Sequence, residues 1–198
     1  CPVGTAMKTT TIGRQAFIDE VLRLLDEGVP TRELTLRRVA KALGCAHTNA
    51  YNWFKSQQDL LWFALGSALE RLLSCTPEEQ MPLLSEPGNL IERYVGFVLQ
   101  HPAWFRLIWM EELSSEMPVE LEPILAMPSQ IMARWLKRSA PAHLSDEDVT
   151  AVGYLLFSFM HGRLCLSVTN RMSDKEQLSL AQDIADTARM LLYGSCFP

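Results

Sequence analysis

Between Thr35 and Lys55 the chain sets a row of hydrogen-bonding side chains on a helical frame. In the run His47-Thr48-Asn49-Ala50-Tyr51-Asn52-Trp53-Phe54, helical spacing turns Ala50 and Phe54 to one side and leaves His47, Thr48, Asn49, Tyr51 and Asn52 on the other. Imidazole, hydroxyl and carboxamide groups arrayed in this way can bond the edges of bases and the oxygens of phosphates. Just upstream, Leu36, Val39, Ala40 and Leu43 recur at helical spacing until Gly44 supplies the left-handed residue of a tight turn. Two short helices broken by a glycine turn are the plan of a helix-turn-helix, whose second helix enters a DNA major groove.

No other stretch offers comparable chemistry. The sequence contains no GxSxG, no Walker loop and no Rossmann glycine pattern, so no enzyme activity, catalytic residue or cofactor is expected. The five cysteines (1, 45, 75, 165, 196) form no CxxC pair, and His101, His143 and His161 lack ligand spacing. Neither a metal site nor a disulfide framework is expected. Cys45 reads as a small turn residue in preference to a redox sensor, since only His47 stands beside it to favour a thiolate.

The elements that must carry the row of polar residues are helices. Alternating β-branched runs are absent, and Leu, Ala, Met, Glu and Arg dominate, which predicts an all-α chain of about nine helices. The pattern predicts helices at about 12–27, 35–43, 46–53, 56–74, 89–100, 102–113, 125–139, 145–170 and 173–193. Thr35 is a good N-cap, and Ser56 with Asp59, Ser145 with Asp148 and Ser173 with Glu176 have the spacing of capping boxes. Pro77, Pro82, Pro87 and Gly88 mark a loop. The expected division is a head at 1–56 and a larger helical body at 57–198.

At 198 residues, 48% hydrophobic and 21% charged, the chain can bury a sizeable core. No uninterrupted apolar run reaches the length of a bilayer span and no secretory signal is visible, so a cytoplasmic protein with no membrane partner is expected. Met7 is a candidate start of the natural chain. The net charge of −5 is uneven: residues 1–60 carry eight Lys/Arg against six acids, and the remainder carries ten against seventeen. A basic head on an acidic body has the right sign for a DNA binder.

Aromatic and Met residues are dense in the body. Most must be core, but pockets in helical bundles are lined by the same types with a few polar groups fixing orientation. Trp104, Arg106, Trp109, Met132, Trp135, Phe157 and His161 are the candidate lining of a site for a small hydrophobic or aromatic effector. His161 reads equally as a satisfied core residue. The apolar content of the last two helices, Val152, Leu155, Leu156 and Phe159 on one and Ile184, Ala188 and Leu191 on the other, exceeds what one face needs and suggests a homodimer interface.

The run Leu34-Thr35-Leu36-Arg37-Arg38-Val39-Ala40-Lys41-Ala42-Leu43-Gly44, followed by Ala50-Tyr51-x-x-Phe54-x-Ser56-x-x-Asp59-Leu60, resembles the head of the tetracycline-repressor (TetR) family of bacterial transcriptional regulators. The motif covers about residues 12–65. Beyond it, Met160-His161-Gly162 and the long terminal helix pair are similar to features of some members. The resemblance implies a homodimeric, ligand-responsive repressor whose heads bind a palindromic double-stranded operator. It implies base-edge contacts from Arg37, His47, Thr48 and Asn52 and phosphate contacts from Asn49, Tyr51 and Trp53. Arg38 is either a DNA contact or a solvated helix residue.

Three positions depart from the family pattern. Ala46 stands where Ser or Thr caps the recognition helix, Gln57 where a Lys binds phosphate, and Cys45 where a small aliphatic residue is usual. Lys55 is expected to make up part of the missing charge. These departures leave open a second reading, a helical ligand-binding or protein-interaction module that has lost tight DNA binding.

Overall fold

The computed structural model describes residues 12–74, 87–114 and 116–194. It is all-α, and the described residues contain no strand. Among the described residues eight α-helices follow in order: α1 Arg14–Asp26, α2 Leu36–Ala42, α3 Gln57–Ser74, α4 Pro87–Gln100, α5 Pro102–Trp109, α6 Glu122–Ser139, α7 Asp146–Val168 and α8 Asp174–Tyr193. A 3-10 helix at His47–Asn52 stands between α2 and α3. The candidate start at Met7 lies outside the described residues, as do most of the residues expected to form the proline-rich loop. Pro87 already opens α4, at a helix start where proline's missing N–H costs nothing.

Local chemistry explains the boundaries. α2 begins where the Thr35 hydroxyl accepts from the Arg38 amide at 3.2 Å. It ends at Gly44, φ +69°, where the Cys45 amide reaches back to the Ala40 carbonyl and the Gly44 amide to Lys41. This Schellman closure needs a left-handed residue. α7 ends by the same device with Asn170, φ 55°, in the glycine's place. α7 and α8 open on complete capping boxes, Ser145 with Asp148 and Ser173 with Glu176. At α3 the box is displaced: Ser56 accepts from the Asp59 amide, but the Asp59 carboxylate turns to the Lys55 amide at 2.8 Å.

Two expectations are corrected. The helix expected over 102–113 stops at Trp109, where the Met110 and Glu111 amides both fold onto the Arg106 carbonyl. Glu111 and Glu112 would otherwise sit at the negative end of the helix dipole. The recognition segment is a 3-10 helix, not an α-helix, and its N-cap Ala46 makes no side-chain bond to the first turn.

Two apolar cores result. One joins α1, α2, the 3-10 helix and α3, and reaches Trp104 and Leu107 of α5. The other joins α4, α6, α7 and α8 with Phe105 of α5. It takes in Leu156, Ile184 and Ala188, so these three of the expected interface residues are filled by the chain's own packing and are not open to a partner. α5 therefore presents opposite faces to head and body. α7 is long and apolar enough, by length and composition, to meet the requirements of a membrane span. Its stripe Leu156, Met160, Leu164 and Val168 is nevertheless buried in the body core, and its Arg163 pairs with Asp183 of α8 at 3.2 Å.

Candidate DNA interface and body cavity

The head core fixes the recognition segment. Ala50 and Phe54 are buried, with Phe54 between the rings of Phe17 and Phe63 at 6.1 Å from each. This anchoring turns His47, Thr48, Tyr51 and Asn52 to solvent, with Asn49 half-buried. The Tyr51 ring is 61% exposed and meets His47 edge-on. Asn52 donates to the Asn49 carboxamide oxygen at 3.2 Å, which holds two candidate contacts in one orientation. Arg37 and Lys55 are exposed and form no ion pair among the described residues.

Other candidates already have partners. Arg38 is salt-bridged to Glu33. The Trp53 indole donates to the Ile12 carbonyl at 3.2 Å and tethers the start of the head. Gln57 donates to the Thr31 carbonyl at 3.0 Å and so ties α3 to the turn before α2. Since Ala46 already has the extended backbone of an N-cap, with its carbonyl accepting from Asn49, Ala46→Ser should add the missing side-chain bond. The expected gain is about 1 kcal/mol in chemical denaturation; no gain would mean that the 3-10 turn leaves its first amides out of reach.

In the body, five of the seven candidate ligand residues, Trp109, Met132, Trp135, Phe157 and His161, line one cavity of about 60 Å³. The other two do not. Trp104 lies in the head core and donates to the Leu22 carbonyl at 3.0 Å. Arg106 donates to the Val168 carbonyl at 2.7 Å, at the C-terminal end of α7. Trp104 also stacks on His101, centroids 4.1 Å apart, and the His101 Nδ1 is 3.0 Å from the Asp26 carboxylate. This cluster joins the start of α5 to the end of α1. Sequence reasoning missed it because Asp26 and His101 are distant in the chain.

His161 has a determined tautomer. Its Nδ1 is 3.0 Å from the Phe157 carbonyl, which only accepts, so Nδ1 carries the proton. Nε2 then accepts from the Tyr94 hydroxyl at 3.1 Å. The ring is stacked on Phe157 and faced edge-on by Trp109. Burial holds the imidazole below its ordinary range and pushes the Tyr94 phenol above its own. Tyr94 is not among the sequence candidates; its signal is its place on the apolar face of α4 with Ile91, Val95 and Val98.

Among known proteins, the family described as "Tetracyclin repressor-like, C-terminal domain" matches residues 89–192, more than half of the chain. The chain belongs to the TetR family. Its fold is also that of solved structures. A protein with unknown function from Rhodococcus sp. RHA1 is 17% identical with a TM-score of 0.70, over 93% of this chain and 98% of that one. A TetR transcriptional regulator from the same organism is 19% identical with a TM-score of 0.59, over 91% and 96%. None of the curated proteins matches the sequence.

Within this TetR-family regulator, His161 makes stability depend on pH with a defined sign. Its folded pKa lies below the ordinary 6.5, so the unfolded chain binds the proton more tightly. Stability is complete above about pH 6.5 and falls as the pH drops towards the folded value. The loss is up to about 1.4 kcal/mol for each pH unit through which the group titrates. His161→Gln should flatten the melting temperature across that window. The capped carboxylates Asp148 and Glu176, held below 3.8 and 4.5 by bonds from Ser145 and Ser173, lose their contribution only at lower pH. An unchanged slope in His161→Gln would exclude the buried imidazole as its source.

Proposed function

We propose that this protein is a cytoplasmic bacterial repressor, without catalytic activity, that binds a palindromic operator as a homodimer and releases it when a small hydrophobic or aromatic effector enters the body. The observation that carries this reading is the recognition segment, whose apolar residues are buried in the head while His47, Thr48, Tyr51 and Asn52 face solvent. The head at 1–56 reads the DNA and the body at 57–198 senses and dimerises. Arg37, His47, Thr48 and Asn52 reach base edges, while Asn49, Tyr51 and Lys55 hold the backbone. Arg38 and Trp53 can join them only by giving up Glu33 and Ile12 as partners. The effector acts by favouring the state in which the two heads miss successive major grooves, with α5 as the element common to both cores.

The test is a gel shift on the intergenic DNA beside the gene. Arg37→Ala should weaken specific binding by about 1–3 kcal/mol for each base pair that Arg37 reads. Gln57→Lys should strengthen it and raise the salt dependence by about two phosphates per dimer. Absence of any footprint would favour the second reading, a helical ligand-binding or interaction module, which Ala46 and Gln57 support.

A further inference from the structure

Among the described residues, two indole donors of the body cavity meet no acceptor at hydrogen-bonding geometry. The Nε1–H groups of Trp109 and Trp135 are both buried and unbonded. Trp135 is only 6% exposed. The Trp109 indole lies near enough to the Tyr94 hydroxyl to interact with it, but not at hydrogen-bonding geometry. Buried donors are rarely left unmatched, because each forfeits its bond to water without a replacement. Here both belong to side chains that line the same cavity.

The rest of the lining restricts what could match them. Among the described residues it includes no Asp, Glu, Lys or Arg. The hydrogen of Tyr94 is taken by His161, and the hydrogen of His161 by the Phe157 carbonyl. The remaining described walls are Leu, Ile, Met, Phe and Pro side chains. A charged ligand would lose its hydration with no counter-charge to meet it. A pure hydrocarbon would fill the space but leave both indoles unbonded.

We infer that this cavity takes an uncharged, largely apolar molecule bearing acceptor oxygens, of the ketone, ester or quinone type, bonded by the indoles of Trp135 and Trp109. This rests on the ligand-sensing reading of the body and narrows it to one chemistry. The space of about 60 Å³ is small for such a molecule, so the walls yield as it enters. The wall that yields is α6. Pro128 stands inside that helix and cannot bond the Ile124 carbonyl. Beyond it runs an open groove of about 700 Å³, and Trp109, Pro128, Met132 and Phe157 line both spaces.

Calorimetric titration of the whole protein with 1-tetralone, tetralin and tetralin-1-carboxylate tests this inference. The three share a bicyclic skeleton and differ in acceptor and charge. The ketone should bind about tenfold more tightly than the hydrocarbon, the combined net effect of its oxygen accepting from the two otherwise unmatched indoles. The carboxylate should bind more weakly than both. Trp135→Phe should reduce the ketone preference to under about threefold and leave tetralin unaffected. In the unmodified protein, the ketone but not tetralin should move two of the five indole N–H proton resonances downfield, a readout that does not depend on how the variant folds. Equal binding of ketone and hydrocarbon, or a preference for the carboxylate, overturns the acceptor inference and leaves a ligand-binding body standing. Failure of all three probes to bind overturns both.

Discussion

Phe54→Ala is expected to destabilise the head by about 3–5 kcal/mol and to abolish operator binding. Phe54 is 1% exposed and closes the head core from the recognition segment. Its ring meets Phe17 of α1 edge-on and packs at a tilt against Phe63 of α3. The Arg14 guanidinium lies over Phe63 at 3.5 Å and over Phe54 at 5.9 Å, so a cation–π contact seals the same cluster. Truncation removes the shared wall of three helices and leaves a cavity that the short 3-10 helix cannot fill by collapsing. A loss of this size is a large fraction of the 5–15 kcal/mol typical of a whole domain. Denaturant unfolding checks the energy and a gel shift checks the consequence. Tyr51→Ala is the matched comparison: its exposed ring contributes little to stability, so it should lower operator affinity and leave the unfolding midpoint within about 0.5 kcal/mol. A cost below about 1 kcal/mol for Phe54→Ala would mean that the recognition segment is not held by this cluster.

What was legible in the sequence was local. Ser145 and Ser173 announced their helices because a hydroxyl three residues before a carboxylate closes a ring of bonds within one turn, and both boxes are present. Gly44 announced the turn because few residues adopt its φ. The spacing of Ala50 and Phe54 marked both as inward-facing, and both are buried, although not that the segment would wind as a 3-10 helix or that Asn49 would be half-buried. What stayed hidden depends on the choice between two equally apolar surroundings. Trp104 and Trp109 lie five positions apart on α5, and composition alone made both candidates for the cavity. One turned to the head and the other to the body, because this helix has a core on each side. The partners of Trp53 and Arg106 lie 41 and 62 positions away, beyond the reach of any spacing rule.

Paired substitution of Leu155 and Phe159 by Arg is expected to convert the proposed dimer into a folded monomer with little operator affinity. On α7, Leu155, Phe159, Gly162 and Leu166 fall at successive turns of one stripe, and all are exposed. Leu155 is 58% exposed, and Tyr154 beside it is 73% exposed. A Cβ built at Gly162 would meet nothing within 4 Å, so a second helix has room to approach closely there. A two-fold interface uses each residue twice. Burying Leu155 and Phe159 on both subunits would contribute about 6–12 kcal/mol at 1.5–3 kcal/mol for each side chain. Four guanidinium groups in the same place reverse that gain and add like-charge repulsion. The variant should sediment as a monomer with its helix content intact, and its dimer dissociation constant should rise by at least about a hundredfold, since only about 2.7 kcal/mol is needed for that. Operator binding should fall further than Arg37→Ala reduces it, because a monomer reaches one half-site and loses the second entirely. A soluble wild-type dimer that needs no detergent would also assign the exposed apolar stripe of α7 to protein rather than lipid. If the double variant still sediments as a dimer, the interface lies off this stripe, and the apolar surface of α7 needs another partner.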